Sequence, residues 1–266
     1  MVAALTVNIG AASMTRAEML LRWLAGRPED IFLLTETSAG SGTAYILEAF
    51  RRAGYAVIKT PDDGERGAAL VSRISLAGPP LLLPEVSIPG RVAAAGLDTT
   101  PRTWFLSVYV PSRDRSADKT ARKELFIASL LKAVAELPAE QRGHLVIGGD
   151  YNVIAAGHTP PHPGFLPFEY GLLDTLSAQG FIDTYDHCYP AGPHPHSWIG
   201  RTGAGYRYDY FHVGAALAGH ISGCAYLHQT RDLGLTDHAA VRLELGLDAV
   251  RLPYRNLAEP EEIALF

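Results

Sequence analysis

The sequence predicts an α/β (α+β) domain in which two β-sheets of mixed strand direction are covered by helices. Three observations carry that expectation. The chain opens with a strand, a helix and a second strand, and both strands run into polar residues. A series of short strands separated by Gly and Pro follows with no helix between them, which implies antiparallel pairing. A long amphipathic helix then leads to a further apolar strand, and the second half again returns polar residues to strand ends.

Residues 2–9 (VAALTVNI) read as the first strand, ending at Asn8 and Gly10. Thr15 to Glu18 (TRAE) has the form of a capping box, and Met19, Leu20, Trp23 and Leu24 follow at helical spacing until Gly26 and Pro28 close the helix. Residues 31–34 form the second strand and lead into Thr35-Glu36-Thr37. If the two strands are adjacent and parallel, Asn8 and Glu36 share one polar rim at their C-terminal tips. Residues 41–53 are helical in pattern with Gly54 as the stop. Residues 55–59, 67–74, 81–88, 92–97 and 104–110 are the strands of the antiparallel series. The last reaches Tyr109-Val110-Pro111-Ser112, ahead of a charged loop. Ile127, Leu130, Leu131, Val134 and Leu137 then fall at i, i+3, i+4, i+7 and i+10, the stripe of a helix buried on one face.

Residues 144–152 (HLVIGGDYN) are the stretch around which the rest is arranged. Leu145, Val146 and Ile147 read as a buried strand. Gly148 and Gly149 stop it and admit close approach of a backbone or a ligand, and Asp150 and Asn152 lie two positions apart. An acid and an amide so mounted suit one shared substrate; an Asx turn, in which both bond their own backbone, is the competing reading. Residues 158–167 (HTPPHPGFLP) form a Pro-stiffened loop before a short helix over 168–178. Residues 181–189 are expected to be irregular and 191–196 to be another loop. Residues 197–198 and 206–213 read as strands around a Gly-rich turn. Residues 221–226 and 239–245 are the last two strands, with Thr236-Asp237-His238 at the tip before the final one. One domain is expected over 1–246, with a docked or mobile C-terminal tail over 247–266.

A chain of 266 residues, 47% apolar and 19% charged, has the composition of an ordinary soluble globular protein with a substantial core. A formal net charge of -5 excludes a protein that holds nucleic acid by an overall positive field. A polyanion would have to be met by a local patch or by metal ions. Basic residues are mostly Arg, whose forked donors suit phosphate, with Lys only at 59, 119, 123 and 132. Cys188 and Cys224 fit no disulfide framework or metal knuckle and are expected to be reduced packing residues. With no leader-like segment and no apolar run of membrane-spanning length, a cytoplasmic protein without membrane contact is expected.

The polar strand tips are Asn8, Glu36, Tyr109, Asp150 with Asn152, Asp209, and Asp237 with His238. They sit in VNIG, LLTET, VYVPS, GGDYN, YRYDYF and TDHAAV, with GAALVSR between the second and third. In this order the chain resembles the endonuclease/exonuclease/phosphatase superfamily, most closely its exonuclease III and apurinic/apyrimidinic endonuclease branch. The resemblance implies a four-layer sandwich, two packed mixed β-sheets flanked by helices, with the active site at one end. It implies a monomeric, divalent-metal-dependent phosphodiester hydrolase acting on DNA, as an abasic-site endonuclease, a 3′ exonuclease or both.

Carried over residue by residue, the resemblance assigns Glu36 as the principal carboxylate ligand of a Mg2+ or Mn2+ ion, with Asn8 and Asp237 close to it. Asp150, oriented by Asn152, would activate or align the attacking water. His238, held by Asp209, would meet a non-bridging phosphate oxygen, and Tyr109 would contact the phosphate or the leaving side. Such residue types answer the chemistry, because an anionic phosphodiester resists attack until its growing charge is neutralised. No Gly-x-Ser-x-Gly elbow accompanies the Asp-His pair, which argues against a serine hydrolase.

The resemblance also makes Trp198, Tyr206 and Tyr208, the aromatic segment before the second-half Asp209, the candidates for a pocket around a base-free sugar. Arg113 and Arg115, with Lys119, Arg122 and Lys123, are candidates for tracking a phosphate backbone; a solvated loop and helix start is the competing reading. The connection from Trp198 to Tyr206 is shorter than in that branch, and the loop after GGDYN differs. A small-molecule or lipid-linked phosphate is therefore the alternative substrate, and a non-catalytic binding module of the same fold the third reading. His158, His162, His194 and His196 are separated by prolines, without Cys or acid at ligand spacing, and are expected to face solvent rather than to bind zinc.

Overall fold

The strands β1 (Val2–Asn8) and β2 (Ile31–Thr37) lie side by side and parallel, joined by α1 (Met14–Ala25), and Asn8 stands opposite Thr35. The computed structural model describes residues 1–61, 64–162, 164–190 and 192–257. After β2, α2 (Ser41–Arg52) packs on α1, and β3 (Ala56–Lys59) and β4 (Gly67–Ser72) add antiparallel strands, with β4 against β2. The antiparallel series continues with β5 (Leu76–Leu81), β6 (Val92–Leu97), the short β7 (Thr99–Thr100) and β8 (Thr103–Tyr109). α3 (Ala117–Ala135) and the single turn α4 (Ala139–Gly143) then cross over to β9 (Leu145–Asp150), parallel to β8.

The second half runs through α5 (Pro167–Ala178), β10 (Phe181–Asp183) and α6 (Thr184–Cys188). A small hairpin of β11 (Trp198–Ile199) and β12 (Gly205–Tyr206) follows, then β13 (Asp209–Gly214), β14 (Ile221–Leu227), α7 (Gln229–Asp232), β15 (Ala240–Leu245) and β16 (Asp248–Ala249). Two six-stranded sheets result, ordered β14-β15-β1-β2-β4-β3 and β10-β13-β9-β8-β6-β5.

Alternation along the strands explains the layering. On β9, Val146 faces the other sheet among Leu33, Phe105, Phe211 and Leu243, while Leu145 and Ile147 face Phe126 and Leu130 of α3. On β1 and β2, Leu5, Val7 and Phe32 face Leu20 of α1 and Ile46 and Phe50 of α2. The order is helices, sheet, sheet, helices, as the resemblance implied. Among the described residues, no helix is long and apolar enough to cross a membrane. Cys188 and Cys224 are free thiols.

The two glycines of GGDYN are set by close approach. A Cβ on Gly149 would lie 1.9 Å from the Val108 carbonyl oxygen, and Gly149 has φ +154; a Cβ on Gly148 would lie 2.4 Å from the Phe211 ring.

Three details differ from the sequence reading, and the tail follows one of its two alternatives. Helix α1 starts at Met14, and its N-cap Ser13 makes no side-chain capping bond, so Thr15 is already inside the helix. Residues 82–88 are not a strand, because Leu83 and Val86 turn inward to pack in the core beside Phe126 of α3, and β5 falls earlier. Residues 181–189 are ordered, because the Asp183 carboxylate accepts the Tyr185 and Asp186 amides and starts α6. The tail is docked where it is described: β16 pairs with β7, and Arg251 Nε reaches Asp30 Oδ1 at 2.8 Å. Its last residues, 258–266, lie outside the described residues.

Candidate active site

Strand register brings three of the polar tips together before any side-chain bond is considered. Asp150 at the end of β9 stands opposite Tyr109 of β8 on one side and Asp209 of β13 on the other. The facing sheet supplies Asn8 from the end of β1 and Glu36 from β2. Glu36 has φ +53, and the pairing of β2 with β4 slips between Thr35 and Thr37, so a bulge at the strand end re-aims this side chain.

Asn8 links the two sheets. Its Nδ2 donates to Glu36 Oε1 at 3.2 Å and to Asp150 Oδ2 at 2.9 Å, while its Oδ1 accepts the Gly10 amide at 2.8 Å. The Tyr109 hydroxyl donates to Glu36 Oε1 at 3.1 Å, and Glu36 Oε2 pairs with Arg66. Asn152 is tied to Asp150 through backbone and side chain. Its backbone N–H donates to Asp150 Oδ1 at 2.9 Å, an Asx turn, and its Nδ2 also donates to Asp150 Oδ2 at 3.2 Å and to the Val110 carbonyl at 3.0 Å.

His238 closes the group. Its Nδ1 is 2.7 Å from Asp209 Oδ2, and its Nε2 is 3.9 Å from Asp150 Oδ2. Asp209 is held in turn by Ser197, whose Oγ accepts the Asp209 amide at 3.1 Å. Asp237 stands apart: its Oδ2 accepts from Trp198 Nε1 at 3.0 Å, and among the described residues no hydrogen bond joins it to Glu36.

Burial sets the electrostatics. Asp150 is wholly buried, and desolvation, reinforced by the Asp209 and Glu36 charges against the opposing pull of His238, pushes its carboxyl up to about 8. Desolvation alone would lower His238, but the Asp209 and Asp150 carboxylates outweigh it and raise the imidazole to about 10. Burial first, then Glu36 and Asp150, raises the Tyr109 phenol, which therefore stays protonated.

The donor set suits a hard divalent cation. Asp150, Asp209 and His238 bring potential ligand atoms within 4.8 Å of one another, with the His238 ring nitrogens occupied as a cation beside Asp209; among the described residues Asp209 Oδ1 is buried without a partner, and the crowded carboxylates leave negative charge for a cation to relieve. Oxygen donors dominate, the ligand type that a hard divalent cation takes.

The aromatic candidates form one wall. Tyr206 and Tyr208 stack with ring centroids 5.7 Å apart, and Trp198 lies 5.7 Å from Tyr208. The sequence reading missed Phe165, whose ring stands edge-on to Tyr208 at 6.2 Å; its signal was an aromatic in the Pro-stiffened loop. Phe165 and Tyr208 border a cavity of about 230 Å³ lined also by Asn152, Arg113, Arg115 and Lys123, whereas Trp198 and Tyr206 do not line it.

The basic loop is less free than a backbone-tracking surface would be. Lys123 is buried, its Nζ donating to Glu169 Oε1 at 2.7 Å and to the Asn152 carbonyl at 2.6 Å. Arg113 is also spent on Glu169, through Nε at 3.1 Å, and on the Gly164 carbonyl at 2.6 Å. Arg115 lines the cavity rim. Both readings of this loop overlooked Glu169, a buried carboxylate that draws two cations inward. His158 likewise does not face solvent: it is buried, and its Nε2 accepts the Arg207 amide at 3.1 Å, which pins the Pro-rich loop to the chain entering β13.

The profile of the Endonuclease/Exonuclease/phosphatase family matches residues 5–245. No curated protein matches the sequence. Among solved structures, the chain is similar to the 3′ phosphatase NExo from Neisseria bound to a product DNA hairpin, with 24% identity and a TM-score of 0.78 over 92% of this chain and 99% of that one. An AP endonuclease from Archaeoglobus fulgidus aligns with 20% identity and a TM-score of 0.78, again over 92% and 99% of the two chains. The 3′-5′ exonuclease NExo from Neisseria meningitidis aligns with 24% identity and a TM-score of 0.78 over 91% and 99%. At these identities the likeness establishes the fold.

Proposed function

Because the chain belongs to the endonuclease/exonuclease/phosphatase family, whose members hydrolyse phosphoesters, we propose that it is a divalent-cation-dependent phosphodiesterase acting on DNA, at abasic sites, at 3′ ends or at both. One observation carries this reading: a continuous set of bonds from Tyr109 and Glu36 through Asn8 to Asp150 and Asn152, with His238 held by Asp209 beside it. The similar NExo and AP endonuclease structures support DNA as the substrate.

In this reading Glu36, oriented by Asn8, would hold a Mg2+ or Mn2+ ion, and Asp237 is the further ligand that the resemblance implies. When bound, that cation neutralises charge on the phosphoryl group and on the departing oxygen. Asp150 accepts the proton of the attacking water in its ionised form; burial pushes its carboxyl up to about 8, and a bound cation would favour the ionised form. Asn152, by bonding both Asp150 oxygens, fixes which lone pair faces the water. His238, cationic at neutral pH, donates from Nε2 to a non-bridging phosphate oxygen, while Asp209 holds Nδ1 and with it the ring. The Tyr109 hydroxyl donates toward the leaving side. Tyr208 and Phe165 line the place of the sugar with the Trp198 and Tyr206 rings against Tyr208, and Arg113 shores up that wall through Glu169 and Gly164, with Arg115 at its rim.

The protein is taken to work as a cytoplasmic monomer, with residues 1–246 as the working unit and 247–266 as an appended segment. The test is a substrate panel: a duplex with one abasic analogue, a blunt duplex, a single strand, a 3′-phosphate end and a generic phosphomonoester, each with Mg2+ and with chelator. The expected result is a chelator-sensitive nick or 3′ trimming. Intact DNA alongside a hydrolysed phosphomonoester would transfer the enzyme to small phosphoesters, and hydrolysis in chelator would deny Glu36 the part of a cation ligand.

A further inference from the structure

Glu36 presents its two oxygens to different partners. Oε1 accepts from Asn8 and Tyr109, and Oε2 pairs with Arg66, the residue directly before β4. The Arg66 side chain is 54% exposed and that of Glu36 is 14%, so the guanidinium covers the carboxylate from the solvent side. On its other flank Arg66 borders a cavity of about 240 Å³ lined by Arg91, Tyr109, Ser112, Lys119 and Arg122. Lys119 is held by Asp114 at 2.7 Å and Arg122 by Glu65 at 2.7 Å. Arg91 is also paired, through Nη2 to Glu65 Oε2 at 3.3 Å, but it is buried, lies over the Tyr109 ring at 4.4 Å, and its Nε and Nη1 have no partner among the described residues. A buried guanidinium with unsatisfied donors at a cationic cavity is built to meet an oxyanion.

Because Oε1 already accepts two donors, a divalent ion binding Glu36 has Oε2 to take, and there it meets the Arg66 cation, whose like charge it repels. The ion carries twice the charge and is the smaller of the two, so it displaces the guanidinium rather than sharing with it. We propose that Arg66 is an exchangeable latch, which holds Glu36 Oε2 when no divalent cation is bound and, once displaced by the cation, swings into the neighbouring cavity to receive a phosphate oxyanion together with Arg91. This inference rests on the reading of Glu36 as a cation ligand. Cation and oxyanion binding become mutually favourable, since each draws Arg66 in the direction the other needs.

The test is calorimetric titration of the full chain with Mn2+ alone, in wild type, R66A, R66K and E36Q, with R66M as a second charge-removing variant should R66A not fold. Removing a half-exposed competitor is expected to tighten Mn2+ binding about two- to fivefold, the scale of a partly exposed ion pair. R66K is expected to stay near wild type, because it keeps the charge, and E36Q to weaken binding by more than about tenfold. Sulfate at constant ionic strength is expected to tighten Mn2+ binding in wild type and not in R66A. Unchanged or weaker binding in R66A, with E36Q still impaired, overturns the latch and leaves the cation site standing. R66K tracking R66A overturns it as well, and an equal sulfate response in both proteins overturns the oxyanion half. E36Q indistinguishable from wild type removes the cation reading and the latch with it.

Discussion

Glu169→Gln is the perturbation that asks most of the structure. Glu169 and Lys123 are each 1% exposed at the side chain, and the carboxylate also binds Arg113 and the Leu166 amide. The amide of Gln keeps the shape but removes the charge, leaving Lys123 cationic in a site where desolvation already lowers its pKa. Breaking one partner of a buried pair costs about 3–5 kcal/mol, because an uncompensated charge remains. Replacing Lys123 and Glu169 together by apolar residues of similar size removes that charge while Arg113 keeps the Gly164 and Asp114 carbonyls, so a Lys123→Met/Glu169→Leu double variant should recover part of the loss.

The site should register the same change. Lys123 Nζ holds the carbonyl of Asn152, a residue with φ +48 that orients Asp150, so Glu169→Gln should lower turnover as well as stability. Urea denaturation at neutral pH reads the first effect and a steady-state assay the second. The pH dependence has a fixed sign. Burial tends to raise the Glu169 pKa, but the Arg113 and Lys123 contacts hold it below its ordinary value of 4.5. Its contribution is therefore fully present above that value and is lost as pH falls through the folded-state pKa. A loss under about 1 kcal/mol in Glu169→Gln, or a double variant no more stable than the single, would refute the buried-network argument.

Other outcomes follow from the same geometry. Asp150→Asn and His238→Gln should each lower turnover by at least about 10²-fold, the scale for losing a positioned proton acceptor or a charge stabiliser, and unchanged rates would remove them from the mechanism. In the cation-free protein, an NMR titration should show His238 remaining an imidazolium through neutral pH and losing its proton only near 10, with Asp209→Asn moving the midpoint down toward 6.5. Since its folded pKa is raised, His238 contributes stability that is full below about 6.5 and lost as pH rises through about 10. Gly149→Ala should destabilise by about 3 kcal/mol or more by thermal melt, because its Cβ would meet the Val108 carbonyl at 1.9 Å; a normal melt would mean that β8 and β9 can part there at little cost.

What could be read from the sequence was whatever depends on local pattern. The alternation and glycine pair of GGDYN announced a strand end with an acid on it, and that is where Asp150 stands opposite Tyr109 and Asp209. Asn8 and Glu36 were expected at one rim if their strands were parallel neighbours, and they are. Long-range electrostatics was not legible. Lys123 lies in the charged first half of α3, where solvent is the ordinary expectation, and its partner Glu169 is 46 positions away. Arg66 gave no signal either, since only the bulge at Glu36 turns that carboxylate toward it. The strand expected over 81–88 failed for another reason: the same apolar residues can pack beneath a helix as well as pair in a sheet, and periodicity does not separate the two.

The bridge that Asn8 makes from Glu36 to Asp150 has a consequence for how such a protein tolerates change. Neither sheet owns a complete set of reagents: one brings the amide and the glutamate, the other the tyrosine and two aspartates. A sideways slip of the layers by a fraction of a bond length would stretch the direct strut between them while each layer stayed internally intact. Swapping residues such as Val146 or Phe211 in the seam should therefore dim catalysis before it melts the fold, whereas variation at the far ends of the strands goes unnoticed by the chemistry.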